Sequence, residues 1–141
     1  MVVDDQEAVC EVVSDAIRSA GHEIVGTARD GVEAIARADE LRPDVVVMDV
    51  LMPRMNGVEA MKAILKADTA RRVMLMSGEF RSIGFTMDDL YRLGAAAFLE
   101  KPFNIGTLYE LLEQWTVEAS GEKKAMEALR KPPGKAKVGR L

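Results

Sequence analysis

Five residues of the right chemical types recur at the ends of apolar runs. Asp4 and Asp5 follow the first run, Asp49 follows residues 45–48, Ser77 follows 73–76, and Lys101 comes just after 96–99. Brought to one place, three carboxylates repel one another at pH 7, so without a cation at least one must have a raised pKa. A divalent ion removes that conflict. Mg2+ favours hard oxygen ligands in octahedral geometry and keeps several waters, so one or two carboxylates and a carbonyl suffice to hold it. Lys101 would add a movable positive charge and the Ser77 hydroxyl a hydrogen-bond donor, which together describe a site for an oxyanion. Phosphoryl transfer asks a protein for an in-line nucleophile and for neutralisation of the transferring oxygens, and a carboxylate nucleophile yields an aspartyl phosphate. Asp49, on the central run, is the expected nucleophile.

Those residues meet only if the runs are neighbouring strands. Residues 1–3, 24–28, 45–48, 73–76 and 96–99 are short, apolar and rich in β-branched side chains, and most lack alternation, as parallel strands buried on both faces do. Helical stretches separate them. Val9, Val12, Val13, Ala16, Ile17 and Ala20 recur at helical spacing before Gly21, which suits a left-handed cap. Asp30 and Asn56 are expected N-caps of the next two helices, with Ile35 and Ala38, then Met61, Ile64 and Leu65, facing inward. Thr86, Met87, Asp88 and Asp89 open a short fourth helix through a variant capping box, and Gly94 ends it. A fifth helix over about 106–117 buries Leu108, Leu111, Leu112 and Trp115. Right-handed crossovers suggest an α/β doubly wound sheet of five parallel strands with five helices, and the order 2-1-3-4-5, one of the common orders of such sheets, is expected. In such sheets the ligand lies beyond the carboxyl ends of the strands, near the switch between strands one and three.

The chain has 141 residues, room for one domain, and its 48% hydrophobic and 30% charged composition suits a globular protein. No apolar run approaches the roughly 20 residues of a membrane helix, and the acidic start is unlike a secretory signal. A cytoplasmic location is expected, and the single cysteine, Cys10, excludes an internal disulfide. Residues 1–118 carry 12 basic and 21 acidic side chains, net −9, whereas 119–141 carry 7 and 2, net +5. The latter, with Pro132, Pro133, Gly134 and Gly139, read as a basic extension outside the domain.

In order, the acidic pair of Val2-Val3-Asp4-Asp5, the segment Met48-Asp49-Val50-Leu51-Met52-Pro53 with Asn56-Gly57, Ser77-Gly78, Gly94-Ala95 and Lys101-Pro102-Phe103 resemble the receiver domain of two-component response regulators. The resemblance covers roughly residues 1–118 and implies a flavodoxin-like, CheY-like fold. It implies Asp49 as phosphoacceptor, Asp5 as a direct Mg2+ ligand, Asp4 as a ligand through water, the Leu51 carbonyl as a further ligand, and Ser77 and Lys101 as phosphate contacts. Phe98 takes the place of the family's aromatic switch, with Ser77 as its partner in switching. The implied partners are a sensor histidine kinase or a histidine phosphotransfer protein and a downstream protein target. Such a switch would catalyse only its own aspartyl phosphorylation and dephosphorylation. Two departures stand out. The first strand is short, which should limit central pairing, and Ser77 and Lys101 stand 24 residues apart, about two more than is common, which affects the start of helix four.

Taken singly, these residues have blander readings. A lone Asp is more often a solvated carboxylate or a helix cap, a lone Lys a surface charge, a lone Ser a strand-end hydroxyl. Phe98 reads almost as well as a core aromatic. His22 reads as solvated, Cys10 as a half-buried helix residue, and most of the nine methionines as core filler. Convergence of the set is what reverses the balance. A phosphohydrolase would need a general acid two residues beyond Asp49, where Leu51 stands. A phosphorylation-independent interaction module would be favoured only if the acidic pair, acceptor or lysine were missing. Nucleic-acid binding through the basic extension, by counterion release, is the minority reading. No usual DNA-binding domain fits in the chain, so output through protein contact is expected.

Overall fold

In a computed structural model that describes residues 1–115, apolar runs form five parallel strands. β1 is Val2–Val3, β2 Thr27–Ala28, β3 Val45–Asp49, β4 Arg72–Ser77 and β5 Ala97–Glu100. Their order is β2-β1-β3-β4-β5, the expected doubly wound arrangement. Successive side chains point to opposite faces of a strand. Val3, Val46, Met48, Val73, Leu75 and Phe98 therefore enter one core layer, and Val2, Val47, Met74, Met76, Ala97 and Leu99 the other. Because both layers are buried, β3 and β4 read as continuous apolar runs rather than alternating ones.

Four helices are bounded within the described residues: α1 Glu7–Ser19, α2 Gly31–Leu41, α3 Gly57–Ala67 and α4 Met87–Arg92. A fifth, α5, occupies 105–115. α1 and α5 cover the second layer, through Val13, Ile17, Leu108, Leu112 and Trp115, while α2, α3 and α4 cover the first, through Ala34, Ala38, Met61, Ile64 and Leu90. The expected caps form. Asp30 accepts from the Glu33 amide at 2.8 Å and Asn56 from that of Glu59 at 2.9 Å. Thr86 and Asp89 exchange the two hydrogen bonds of a capping box. Gly21 adopts φ +89°, and the His22 amide closes back on the Ile17 carbonyl at 3.2 Å.

Four expectations change. The second strand shrinks from 24–28 to Thr27–Ala28, because β1 offers only Val2 and Val3 as ladder partners. Even so, β1 pairs on both sides, with β2 and with β3. Asp49 is the last residue of β3 rather than the first beyond it. The additional residues between Ser77 and Lys101 form a 3-10 turn, Phe80–Ile83, closed by Gly84 at φ +77°. Cys10 is buried rather than half-buried. The basic segment 119–141 and the end of the fifth helix at 116–117 lie outside the described residues. Among the described residues no helix is long and apolar enough to cross a membrane.

Candidate phosphoacceptor site

The carboxyl ends of β1, β3, β4 and β5 bring Asp4, Asp49, Ser77 and Lys101 to one edge of the sheet. Asp4, Asp5 and Asp49 each offer an oxygen within 4.8 Å of the others. Asp4 is fully buried, Asp49 is 7% exposed and Asp5 faces solvent. Lys101 Nζ donates to Asp4 Oδ2 at 2.7 Å and stands 3.5 Å from Asp49 Oδ2. The other Asp4 oxygen accepts the Gln6 amide at 2.9 Å, and the Asp4 carbonyl accepts the Cys10 thiol at 3.4 Å. Asp4 thus lies between a lysine and a backbone donor, while among the described residues Asp49 has no comparably short cationic contact.

The electrostatics follow from that placement. Burial pushes the Asp49 carboxyl above the usual carboxylate range; Lys101 opposes this, Asp4 reinforces it, and a backbone hydrogen bond from Leu51 opposes it further. The raised pKa expected of a crowded carboxylate set falls on the proposed nucleophile. Lys101 moves the other way from a simple buried amine. Burial alone would lower it, but its hydrogen bond to Asp4 and the charges of Asp49 and Asp4 raise it above the ordinary lysine value. It therefore stays charged at neutral pH.

Local structure explains the positions. Val50 N–H donates to the Met76 carbonyl at 2.9 Å, and Gly57 N–H to the Val50 carbonyl at 2.8 Å, which ties the segment after Asp49 to β4 and to α3. A Cβ on Gly57 would run into the Asp49 carbonyl oxygen, so the Asn56-Gly57 pair caps α3 and permits its close approach. Ser77 is buried, and its Oγ accepts the Glu79 amide at 3.1 Å, which leaves the hydroxyl proton for another acceptor. The Ser77 carbonyl accepts the Lys101 amide at 2.8 Å and so positions the lysine backbone beside β4. The Leu51 side chain is half exposed.

Phe98 is 1% exposed, with its ring turned inward. It makes edge-to-face contacts with Phe80, at 5.5 Å between centroids, and with Tyr91, at 4.6 Å. Neither neighbour follows from the motifs. Phe80 is delivered by the 3-10 turn, whose only sequence signal is the long Ser77 to Lys101 interval, and Tyr91 stands on the outer side of α4.

The carboxylate set fits a hard divalent cation: two buried or nearly buried carboxylates and an exposed one converge, with one lysine to offset them.

Comparison with known proteins agrees with this geometry. Residues 1–113 match the sequence model of the response regulator receiver domain. The chain is 34% identical over 114 residues to the chemotaxis protein CheY of Thermotoga maritima, covering 81% of this chain and 93% of that protein. It is 42% identical over 103 residues to a protein-glutamate methylesterase/protein-glutamine glutaminase of the same organism, covering 72% of this chain but 30% of that protein. Among solved structures, the CheX–CheY–BeF3–Mg2+ complex from Borrelia burgdorferi includes a chain with 28% identity and a TM-score of 0.71, covering 77% of this chain and 81% of that one.

Proposed function

Because the chain belongs to the response regulator receiver family of two-component signalling, we propose that Asp49 accepts a phosphoryl group from a sensor histidine kinase or a histidine phosphotransfer protein. The observation that supports this most directly is the juxtaposition of Asp49, two further carboxylates and Lys101 at one sheet edge. Asp5 and Asp49, with Asp4 through water and the Leu51 carbonyl, would hold Mg2+. When bound, the ion would neutralise the carboxylates and the transferring oxygens.

The residues divide the remaining work. An Asp49 oxygen forms the new P–O bond as the donor's P–N bond breaks and its imidazole leaves, and no proton need be removed from a carboxylate nucleophile. Lys101, held charged by Asp4, lies close enough to Asp49 to pair with a phosphoryl oxygen. Ser77, with its proton uncommitted, can donate to another; charge-assisted bonds of this kind are stronger than neutral ones. The chain would catalyse only its own phosphorylation and dephosphorylation, and its output would pass by protein contact to a downstream target. A cytoplasmic location goes with those partners.

Incubation with acetyl phosphate and Mg2+, followed by intact mass measurement, tests this. One base-labile phosphoryl group is expected on the wild type and none on Asp49→Asn. Undiminished labelling of Asp49→Asn would refute the assignment. Asp5→Ala should weaken both Mg2+ binding and labelling, through loss of a charged oxygen ligand.

A further inference from the structure

The loop from Val50 to Asn56 carries the main chain that faces Asp49. The Leu51 amide donates to the Asp49 carboxyl, and the Leu51 carbonyl is the proposed Mg2+ ligand. Backbone bonds hold the two ends of the loop, Val50 to β4 and Gly57 back to Val50. Between them the chain turns sharply: the Met55 amide donates to the Pro53 carbonyl at 2.8 Å, which closes a γ-turn around Arg54. Arg54 stands at φ +67°, a left-handed region that glycine or asparagine adopts more readily than a long side chain. A γ-turn of that hand is the rare, strained kind, so something outside the turn must hold it.

The holder is the first turn of α2. Arg54 Nε lies 3.4 Å from Asp30 Oδ2, while Asp30 Oδ1 caps α2 by accepting the Glu33 amide at 2.8 Å. The Arg54 side chain is 73% exposed but that of Asp30 only 8%. Two exposed charges would contribute little, being screened and free to move. Here one partner is fixed by its cap and shielded from water, so the guanidinium meets an anchored anion. The next residue makes a second contact. A Cβ on Gly31 would stand 2.7 Å from the Met55 carbonyl oxygen and 2.9 Å from the Met55 Cβ, so the loop comes this near to α2 only because position 31 has no side chain. Met55 itself packs against the core layer that α2 and α3 cover. Adjacent residues thus grip α2 by charge and by close approach, three and four positions beyond Leu51.

We infer that Arg54 and Asp30 form a clamp that fixes the β3–α3 loop on α2 and so holds the Leu51 main chain in place at Asp49. Arg54 is then a positioning residue that acts through Leu51. Its bearing on phosphoryl transfer rests on the function proposed above, whereas the clamp itself is a property of the metal-free chain. The strained turn gains a reason: arginine stands where glycine would fit more easily because its side chain must reach Asp30.

Variants of the full chain test this. Arg54→Gly removes the guanidinium and suits the left-handed turn, so the fold and the melting temperature should be retained. Asp30→Asn removes the charge and keeps a good N-cap. Arg54→Lys returns a cation without the guanidinium fork. In EDTA, amide NMR spectra and hydrogen exchange should show the Leu51 amide shifted and exchanging faster in Arg54→Gly and in Asp30→Asn, and nearer the wild type in Arg54→Lys. The double variant should show no further change, because both substitutions break one contact. Titration with Mg2+, followed on the same amides, gives a second readout. Both single variants should bind the ion about threefold or more weakly, the scale of a coupling between neighbouring residues. Charge alone predicts opposite signs, since loss of a cation favours a divalent ion and loss of an anion disfavours it. The inference falls if the Leu51 amide is unchanged in both single variants, if their effects simply add in the double variant, or if Arg54→Gly binds Mg2+ as well as or better than the wild type. A wild type that binds no Mg2+ and takes no phosphoryl group from acetyl phosphate would sink the proposed function instead, and the metal-free spectra would still decide the clamp.

Discussion

Replacing Asp49 with Asn should raise thermal stability without metal and lower it, relative to the wild type, with metal. Two unit charges 4.8 Å apart, the outer separation within the carboxylate cluster, repel by about 3.5 kcal/mol at an effective dielectric constant of about 20. On the same scale Lys101 at 3.5 Å returns about 5 kcal/mol to Asp49. Asp5 is exposed and screened, and Lys101 is shared with Asp4 at 2.7 Å, so repulsion and attraction nearly cancel. Burial then tips the balance against the charged form, in line with the raised Asp49 pKa. Asn keeps the shape and removes the charge, so it should melt higher, each ~1 kcal/mol gained being worth roughly 4 °C in Tm for a domain of this size.

With Mg2+ at about 100 times its Kd, binding to the native state stabilises the wild type by about 2.7 kcal/mol, roughly 10 °C. The Asn variant lacks a charged ligand and gains much less, so the two melting temperatures should change order. Differential scanning calorimetry in EDTA and in excess Mg2+ reads both. The pH dependence has a definite sign. A carboxyl whose folded pKa lies above its unfolded value costs stability above that folded pKa and costs nothing below the unfolded one, near 3.8. The advantage of Asn in EDTA should therefore shrink as the pH falls toward about 4. An Asn variant that melts below the wild type in EDTA, or gains as much from Mg2+, would refute the reasoning.

Three further outcomes can be measured. Gly57→Ala places a Cβ against the Asp49 carbonyl and should cost about 2–3 kcal/mol in chemical denaturation, together with slower phosphorylation as the loop shifts. Thr86→Ala removes half of the capping box and should cost about 1 kcal/mol, read as faster amide exchange over Met87–Arg92. Asp89 is held below the usual carboxylate range by its bonds to Thr86, so that cap should persist above the unfolded pKa and be lost as the pH falls through the lower folded value. Phe98→Ala should cost about 3–5 kcal/mol because the ring is fully buried. The milder Phe98→Leu is the variant in which a loss of beryllofluoride-dependent partner binding, with phosphorylation retained, would mark the ring as a switch; an unchanged affinity ratio would leave it as core.

The alternation of strands and helices, the helix caps and the residues at the site were legible because each rests on a local signal, whereas the sheet order came from the common pattern of doubly wound folds. β-branched runs, Asp30, Asn56, Thr86 and Gly21 announce their elements within a few positions. What was not legible depends on contacts distant in sequence. The length of β2 is set by the ladder that β1 offers, not by its own apolar residues, so a run over 24–28 pairs only at Thr27 and Ala28. The 3-10 turn has no hydrophobic period to betray it, and Phe80 is buried there because Phe98, 18 residues on, stands beside it. Lys101 is the clearest case. Three strand spacings, roughly 14 Å, separate β5 from β1 in the sheet order, and nothing in the spacing of 97 residues between Lys101 and Asp4 selects that carboxylate. Its main chain is tied to Ser77 on the neighbouring strand, and from there its side chain meets both Asp49 and Asp4. The short contact goes to Asp4 and the longer one to Asp49. That division leaves the proposed nucleophile as the less compensated, raised carboxylate, a property that belongs to the folded edge rather than to any motif along the chain.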